Sequence, residues 1–343
     1  MGAGGRGGGV RMSYSETLEV AGLRAKPGEV VRGHVPVGFY PDGTPVQLPL
    51  ILVNGAKPGP VLMLSACMHA LEVPGIEVIR RLTRELIDPR ELRGAIIAAP
   101  VLNPWGMHQH SMITPQDGYN LNRVFPGHPR SLTTHRLAHF INYDIAGAAD
   151  CFLDFHANPL PALQFALVKQ GLSAAAWEQS LKLAEAYGVT TIQMILDHEG
   201  HRFGSLIEAA ANAGKPGLTI ELVSWRRVEE EGVATGVRGA LNVMKHLGMI
   251  GGEIEPQTVD YLPRVPMTRT EITANRGGLV HPLKTVGEQV RRDEVIALIR
   301  DMFGDVVEEV HSPRDGWILA WPWINSQAVA TGDVLAFIAF EIR

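Results

Sequence analysis

The sequence predicts an α/β protein: a mostly parallel, mixed sheet with helices on both faces, followed by a small all-β domain. Three observations predict it. Four apolar runs are too continuous for strands with one wet face: 59–67, 94–103, 151–157 and 216–224. Helical patterns lie between them, which is the alternation of a sheet covered on both sides. After about residue 255 the helical period fades, and short alternating runs punctuated by glycine replace it.

Each element has its own signal. The first residues, MGAGGRGGGVRM, form a Gly-rich tail over 1–12. "GPVLMLSAC" (59–67) is a buried strand introduced by Gly-Pro. "PGIEVIRRLTREL" (74–86) carries Ile76, Ile79, Leu82 and Leu86 at helical spacing, with Pro74 in the first turn. "GAIIAAPVLN" (94–103) and "CFLDFHA" (151–157) are further buried strands. "SAAAWEQSLKLAEAYG" (173–188) and "SLIEAAANAG" (205–214) are helices that end at Gly188 and Gly214, and "PGLTIELVS" (216–224) is the fourth strand. The charged run 226–231 reads as a solvated helix start. The catalytic domain is expected over 13–255 and the all-β domain, a barrel or sandwich, over 256–343.

Composition narrows the function classes. Of 343 residues 45% are hydrophobic and 20% charged, as in a globular protein with a substantial core. A net charge of -5 with mixed signs gives no surface for nucleic acid. No apolar run approaches the ~20 residues that span a bilayer, and the N-terminus lacks a signal-peptide core. Cys67 and Cys151, both in apolar runs, read as buried free thiols of a cytoplasmic protein.

Four short pieces carry the chemistry. His69 and Glu72 follow the first long strand, His156 lies in "LDFHAN", Glu221 lies in "TIELVSW", and the polar loop "QDGYNLNRVFPG" (116–127) sits between them in the chain. Ligands of open parallel sheets bind at the carboxyl ends of strands, and these residues fall at or just after strands. His69, Glu72 and His156 make a His/Glu/His set, which holds catalytic zinc at ~2.0–2.2 Å and leaves a fourth position open. One Zn2+ per chain is therefore expected, with another divalent metal as the alternative. Glu221, an acid inside an apolar strand, is then available as general base.

In this order, "HALE", "LNPWG", "DGYNLNRVFPG", "DFHA" and "TIEL" resemble the succinylglutamate desuccinylase/aspartoacylase family, a branch of the zinc carboxypeptidase fold. The resemblance covers nearly all of the catalytic domain. It implies zinc held by His69, Glu72 and His156, catalysis by Glu221, and a substrate carboxylate gripped by Asn122 and Arg123. Arg suits that task because its planar guanidinium donates two parallel hydrogen bonds. Asn120 is a further substrate-binding candidate. Asp154, on the same side of its strand as His156, is expected to orient that histidine. The implied activity is amide hydrolysis on a small N-acyl amino acid, in a chain compatible with homo-oligomer formation. A carboxypeptidase, an esterase and a non-catalytic binding protein are the alternatives.

Two departures from the family stand out. Relatives carry an arginine upstream of "NLNR", but "MHQHSMITPQDG" has none. Met112 takes its place, leaving His108, His110 or the metal alone to meet the oxyanion. Ala70 stands where glycine is common. Residues 277–318 also resemble a biotinyl/lipoyl domain, but no lysine follows Lys284, so a structural or gating role is expected rather than a carrier role. Trp225, Tyr119, His201 and Arg202 are secondary pocket candidates, and Cys67 reads as core.

Overall fold

The computed structural model describes residues 17–195, 204–259, 262–322 and 327–342. Short strands β1 (Leu18–Val20) and β2 (Leu23–Ala25) precede a long hairpin, β3 (Glu29–Phe39) and β4 (Pro45–Asn54). Next come β5 (Lys57–Ala66), α1 (Pro74–Arg81), β6 (Arg93–Ala99), α2 (Pro104–Gln109), α3 (Thr133–Phe140) and β7 (Cys151–Asn158). β8 (Phe165–Lys169), α4 (Ala174–Tyr187), β9 (Thr190–Met194), α5 (Leu206–Asn212), β10 (Gly217–Val223) and α6 (Glu230–His246) complete the α/β part. The remainder is all β: β11 (Met267–Thr273), β12 (Gly278–Pro282), β13 (Gln289–Val290), β14 (Val295–Arg300), β15 (Val306–His311), β16 (Gly316–Ala320), β17 (Ala328–Val329) and β18 (Val334–Glu341).

The four predicted strands are β5, β6, β7 and β10, and all lie inside a twelve-stranded sheet of order β13-β16-β18-β11-β9-β8-β10-β7-β5-β6-β4-β3. The sheet is mixed. Its centre, β6-β5-β7-β10, is parallel, while β3, β4 and β8 enter antiparallel. Helices cover both faces, as expected. Val78 and Ile79 of α1, Tyr187 of α4 and Val243 of α6 pack on Leu62, Leu64 and Phe155. On the opposite face Leu137 of α3 and Ile207 of α5 pack on Met63, Ile97 and Phe152. Alternate residues of one strand thus serve the two cores.

Local chemistry sets the helix ends. Ser173 and Ser205 accept N–H groups at the starts of α4 and α5, and Gly188, at φ +89°, closes α4. The helix expected over 74–86 is α-helical only to Arg81; residues 82–86 widen into a π turn. Of the charged run 226–231 only the last two residues belong to α6. Among the described residues no helix is long and apolar enough to cross a membrane.

The C-terminal strands form two antiparallel sheets around one apolar core that includes Ile272, Val280, Ile296, Ile318 and Ile338. Among the described residues no pairing closes them into a barrel. One of these sheets continues the catalytic sheet: Met267 of β11 pairs with Ile192 of β9, and β11 pairs with β18.

Gly75 positions the start of α1, and so the turn before it. A Cβ at Gly75 would meet Phe155 Cβ at 2.6 Å and Ala66 Cβ at 2.7 Å, and neither atom can swing away. Gly75→Ala is therefore expected to destabilise the protein by ~1–3 kcal/mol through overpacking. Denaturant unfolding checks this, and an unchanged midpoint would show that the helix can simply step back.

Candidate active site

The site begins where β5 ends. Cys67, at φ +48°, bends the chain out of the strand, an unusual conformation for a residue other than glycine. Ala70 needs no positive φ, so alanine replaces glycine there without strain. Three neighbouring segments pin this turn through the backbone: Asn103 donates to the Cys67 carbonyl, Ala70 to Ser111 and Arg226 to Leu71. His69 and Glu72 leave it buried, at 7% and 4% exposure. Cys67 is buried too, and its thiol is pushed up by burial, in keeping with a core role.

β7 supplies the third member. Asp154, His156 and Asn158 alternate onto one face, and parallel pairing sets Glu221 of β10 beside His156. The site is thus assembled from a turn, two adjacent central strands and the loop at 120–123.

Both imidazoles approach the Glu72 carboxylate with Nδ1: His69 at 2.9 Å from Oε1 and His156 at 2.8 Å from Oε2. Their other nitrogens meet acceptors, His69 Nε2 at 3.1 Å from Asn120 Oδ1 and His156 Nε2 at 2.9 Å from Asp154 Oδ2. A neutral ring that donates its Nε2–H to such an acceptor keeps the Nδ1 lone pair for the carboxylate side. Two lone pairs and a carboxylate then converge, and a cation among them removes the repulsion. Their ligand atoms lie within 4.8 Å of one another, and the N/O donor set suits zinc. The residues present therefore fit the metal. The same electrostatics act on protons. Burial raises the Glu72 carboxyl, but His69 and His156 outweigh it and hold Glu72 at about 2. Burial lowers His156, yet Asp154 and Glu72 carry it well above the usual imidazole range.

The supporting contacts are specific. Asp154 is fully buried and also accepts the Ser65 hydroxyl at 2.6 Å, which holds the carboxylate toward His156. Asn120 Oδ1 additionally accepts the Asn122 N–H at 2.8 Å, capping the 3-10 turn of 121–123. Asn120 thus touches a histidine as well as lining the pocket. Asn122 Oδ1 accepts the Leu206 N–H at the start of α5, and Arg123 Nη1 donates to the Asn122 carbonyl at 2.7 Å. Glu221 accepts from Asn158 Nδ2 at 3.0 Å, and burial outweighs the nearby histidines to raise its carboxyl above the ordinary value.

These residues line one cavity of ≈ 290 Å³ together with Met112, Trp225 and residues from distant strands. Every residue singled out for metal, catalysis or substrate reaches it except Asp154, which acts from behind His156. Met112 lies in the wall, where the missing arginine was expected to be replaced. His108 and His110 are exposed and do not line the cavity: His108 stacks 5.5 Å from Tyr40, and His110 caps α2 in a left-handed conformation. Tyr119 packs on His135 instead of the cavity wall. His201 and Arg202 fall outside the described residues.

Sequence reasoning missed the far wall: Lys169 of β8, Met194 of β9, Arg269 and Glu271 of β11, and Phe337 of β18. The Arg269 guanidinium lies 4.0 Å over the Phe337 ring and 3.5 Å from Glu271 Oε1. Nothing in the local pattern marked these positions, because their place depends on the strand order β10-β8-β9-β11-β18.

The chain is similar to several known proteins. The chain is 27% identical over 300 residues, 86% of each chain, to the N-alpha-acetyl-L-2,4-diaminobutyric acid deacetylase of Halomonas elongata. A succinylglutamate desuccinylase/aspartoacylase from Rhodobacter sphaeroides superposes with a TM-score of 0.80 at 26% identity, covering 92% of this chain and 96% of its own. The product-bound ectoine utilization protein EutE (DoeB) of Ruegeria pomeroyi shares the fold, with a TM-score of 0.80 at 21% identity over 90% and 95% of the two chains. Residues 58–247 match the succinylglutamate desuccinylase/aspartoacylase catalytic domain, and the chain belongs to that family of amide-cleaving hydrolases.

Proposed function

We propose that the protein is a zinc-dependent deacylase that cleaves the amide bond of a small N-acyl amino acid. The observation that carries this reading is the convergence of both Nδ1 atoms on Glu72 with Glu221 in the same small cavity. A cavity of ≈ 290 Å³ suits a small molecule and leaves little room for a long peptide. The Halomonas relative, a deacetylase of an acetylated amino acid, supports the same chemical class.

His69, Glu72 and His156 would hold the zinc, which supplies Lewis acidity for the scissile carbonyl and the attacking water. Glu221 takes the proton from that water and returns it to the departing amine. Burial suits it to both steps, because a raised pKa makes the carboxylate a stronger acceptor for the water proton, which it then holds for the departing amine. Asn158 fixes the orientation of the Glu221 carboxylate through its side-chain amide. Asn122 and Arg123 anchor the substrate carboxylate, so that the amide is presented in one orientation. Asp154, steadied by Ser65, keeps the His156 Nε2 proton in place and its Nδ1 free.

Two variants and one depletion test this reading. Glu221→Gln is expected to keep zinc while turnover of N-acyl amino acids falls by ~10²–10⁴-fold. Elemental analysis and an assay for released amine read the two quantities, and full turnover in this variant would remove Glu221 from the mechanism. Asp154→Asn is expected to weaken zinc binding by about 10–100-fold, measured by competition with a chelator. Wild-type affinity would mean that Asp154 only packs. Chelation of the wild-type protein is expected to abolish amine release and added Zn2+ to restore it; turnover that survives complete metal removal rules the reading out.

A further inference from the structure

Lys169 is a charged group that the site described above does not use. It ends β8, alternates with Leu167 onto the cavity face, and is paired in register with Met194 of β9. It is only 8% exposed. Among the described residues no hydrogen bond or ion pair reaches its ammonium group. Burial, the Arg123 guanidinium and, more weakly, Arg269 all disfavour its charge and pull the amine down to about 8; Glu208 and Asp154 act against them. Both of those carboxylates already have donors. Glu208 Oε2 accepts the Gly204 N–H at 2.9 Å, and Asp154 is held by Ser65 and His156.

A buried ammonium without a partner is costly, and a second cation nearby makes it more so. An anion entering the cavity beside Lys169 and Arg123, both of which line it, offsets that cost at Lys169. Arg269 acts on Lys169 more weakly than Arg123 does, and Glu271 and the Phe337 ring engage its guanidinium.

We propose that Lys169 is a specificity-determining residue: with Arg123 it forms a two-cation clamp for the substrate carboxylate, so the site selects anionic N-acyl compounds over neutral ones. The identity of the anion as a substrate group rests on the deacylase reading; the clamp itself does not.

The test uses the zinc-loaded full-length protein, Lys169→Met and Lys169→Arg. The probes are N-acetyl derivatives of the common amino acids and, for each, the carboxamide that replaces the free α-carboxylate. Lys169→Met is expected to lower the acid-to-carboxamide ratio of kcat/KM by about 10- to 100-fold, the loss typical of a hydrogen bond to a charged group. The loss should lie in KM, and Lys169→Arg should restore most of it. In the wild-type protein KM for the acid is expected to rise above about pH 8 as the ammonium loses its proton, and Lys169→Arg is expected to remove that rise. Equal loss for acids and carboxamides overturns the proposal. A second measurement is independent of turnover and of whether Lys169→Met folds. Trace acetylation of the wild-type protein by acetic anhydride, read at Lys169 by peptide mass spectrometry, should be suppressed by the acids and not by the carboxamides. Equal protection by both overturns the clamp. Acid-selective protection without hydrolysis of any probe keeps the clamp and removes the deacylase reading.

Discussion

Two imidazole nitrogens face the two oxygens of one buried carboxylate at 2.8–2.9 Å, and both rings have their other nitrogen against an acceptor. Without positive charge among them, such an array of lone pairs repels itself in a medium of low dielectric. Much of the surrounding architecture keeps it assembled. The strained bend at Cys67 aims His69 and Glu72 inward, and three loops tie that bend down through the backbone. Asn120 and Asp154 each hold a ring proton away from the centre. Ser65 in turn holds Asp154, so the chain of support reaches from the cavity into the sheet.

The central strands and the helices on both faces were legible in the sequence, because continuous apolar runs and capped helical periods are local signals. The same holds for His69 and Glu72, which share one turn. His156, Glu221, Asn122 and Arg123 were legible through their motifs and strand-end positions. The long β3–β4 hairpin was not read, and the helix at 74–86 gave no warning of its π turn. The far wall was beyond local reading for a topological reason. Nothing in the sequence around Lys169, Arg269 and Glu271 sets them apart from ordinary surface charges. Only the sheet order, with β8 and β9 lying between β10 and β11, brings them to the cavity of His69, Glu72 and His156. Of the groups considered for the absent arginine's place, His108 and His110 do not line the cavity, and the metal alone is left. Their nearness to the motif in sequence is spent on the exposed end of α2.

The two faces of the sheet divide the work. Phe155 and Leu153 pack against helices on one side, while Asp154 and His156, their immediate neighbours, build the site on the other. A single strand thus has to satisfy a close-packed core and a polar network in alternate residues. A shift of one residue in its register would exchange them and destroy both.

The junction between β9 and β11 makes the all-β region a structural continuation of the enzyme's own sheet. All three proposed metal ligands and Glu221 precede β11 in the chain, whereas Arg269, Glu271, Phe337 and Val334 of the cavity wall lie in β11 or after it. The candidate reactive groups and part of the cavity wall are therefore encoded in separate, consecutive stretches of the chain. Changes in the last stretch can redraw what the cavity admits while leaving the reactive centre untouched, which gives one hydrolytic apparatus a route to new substrates.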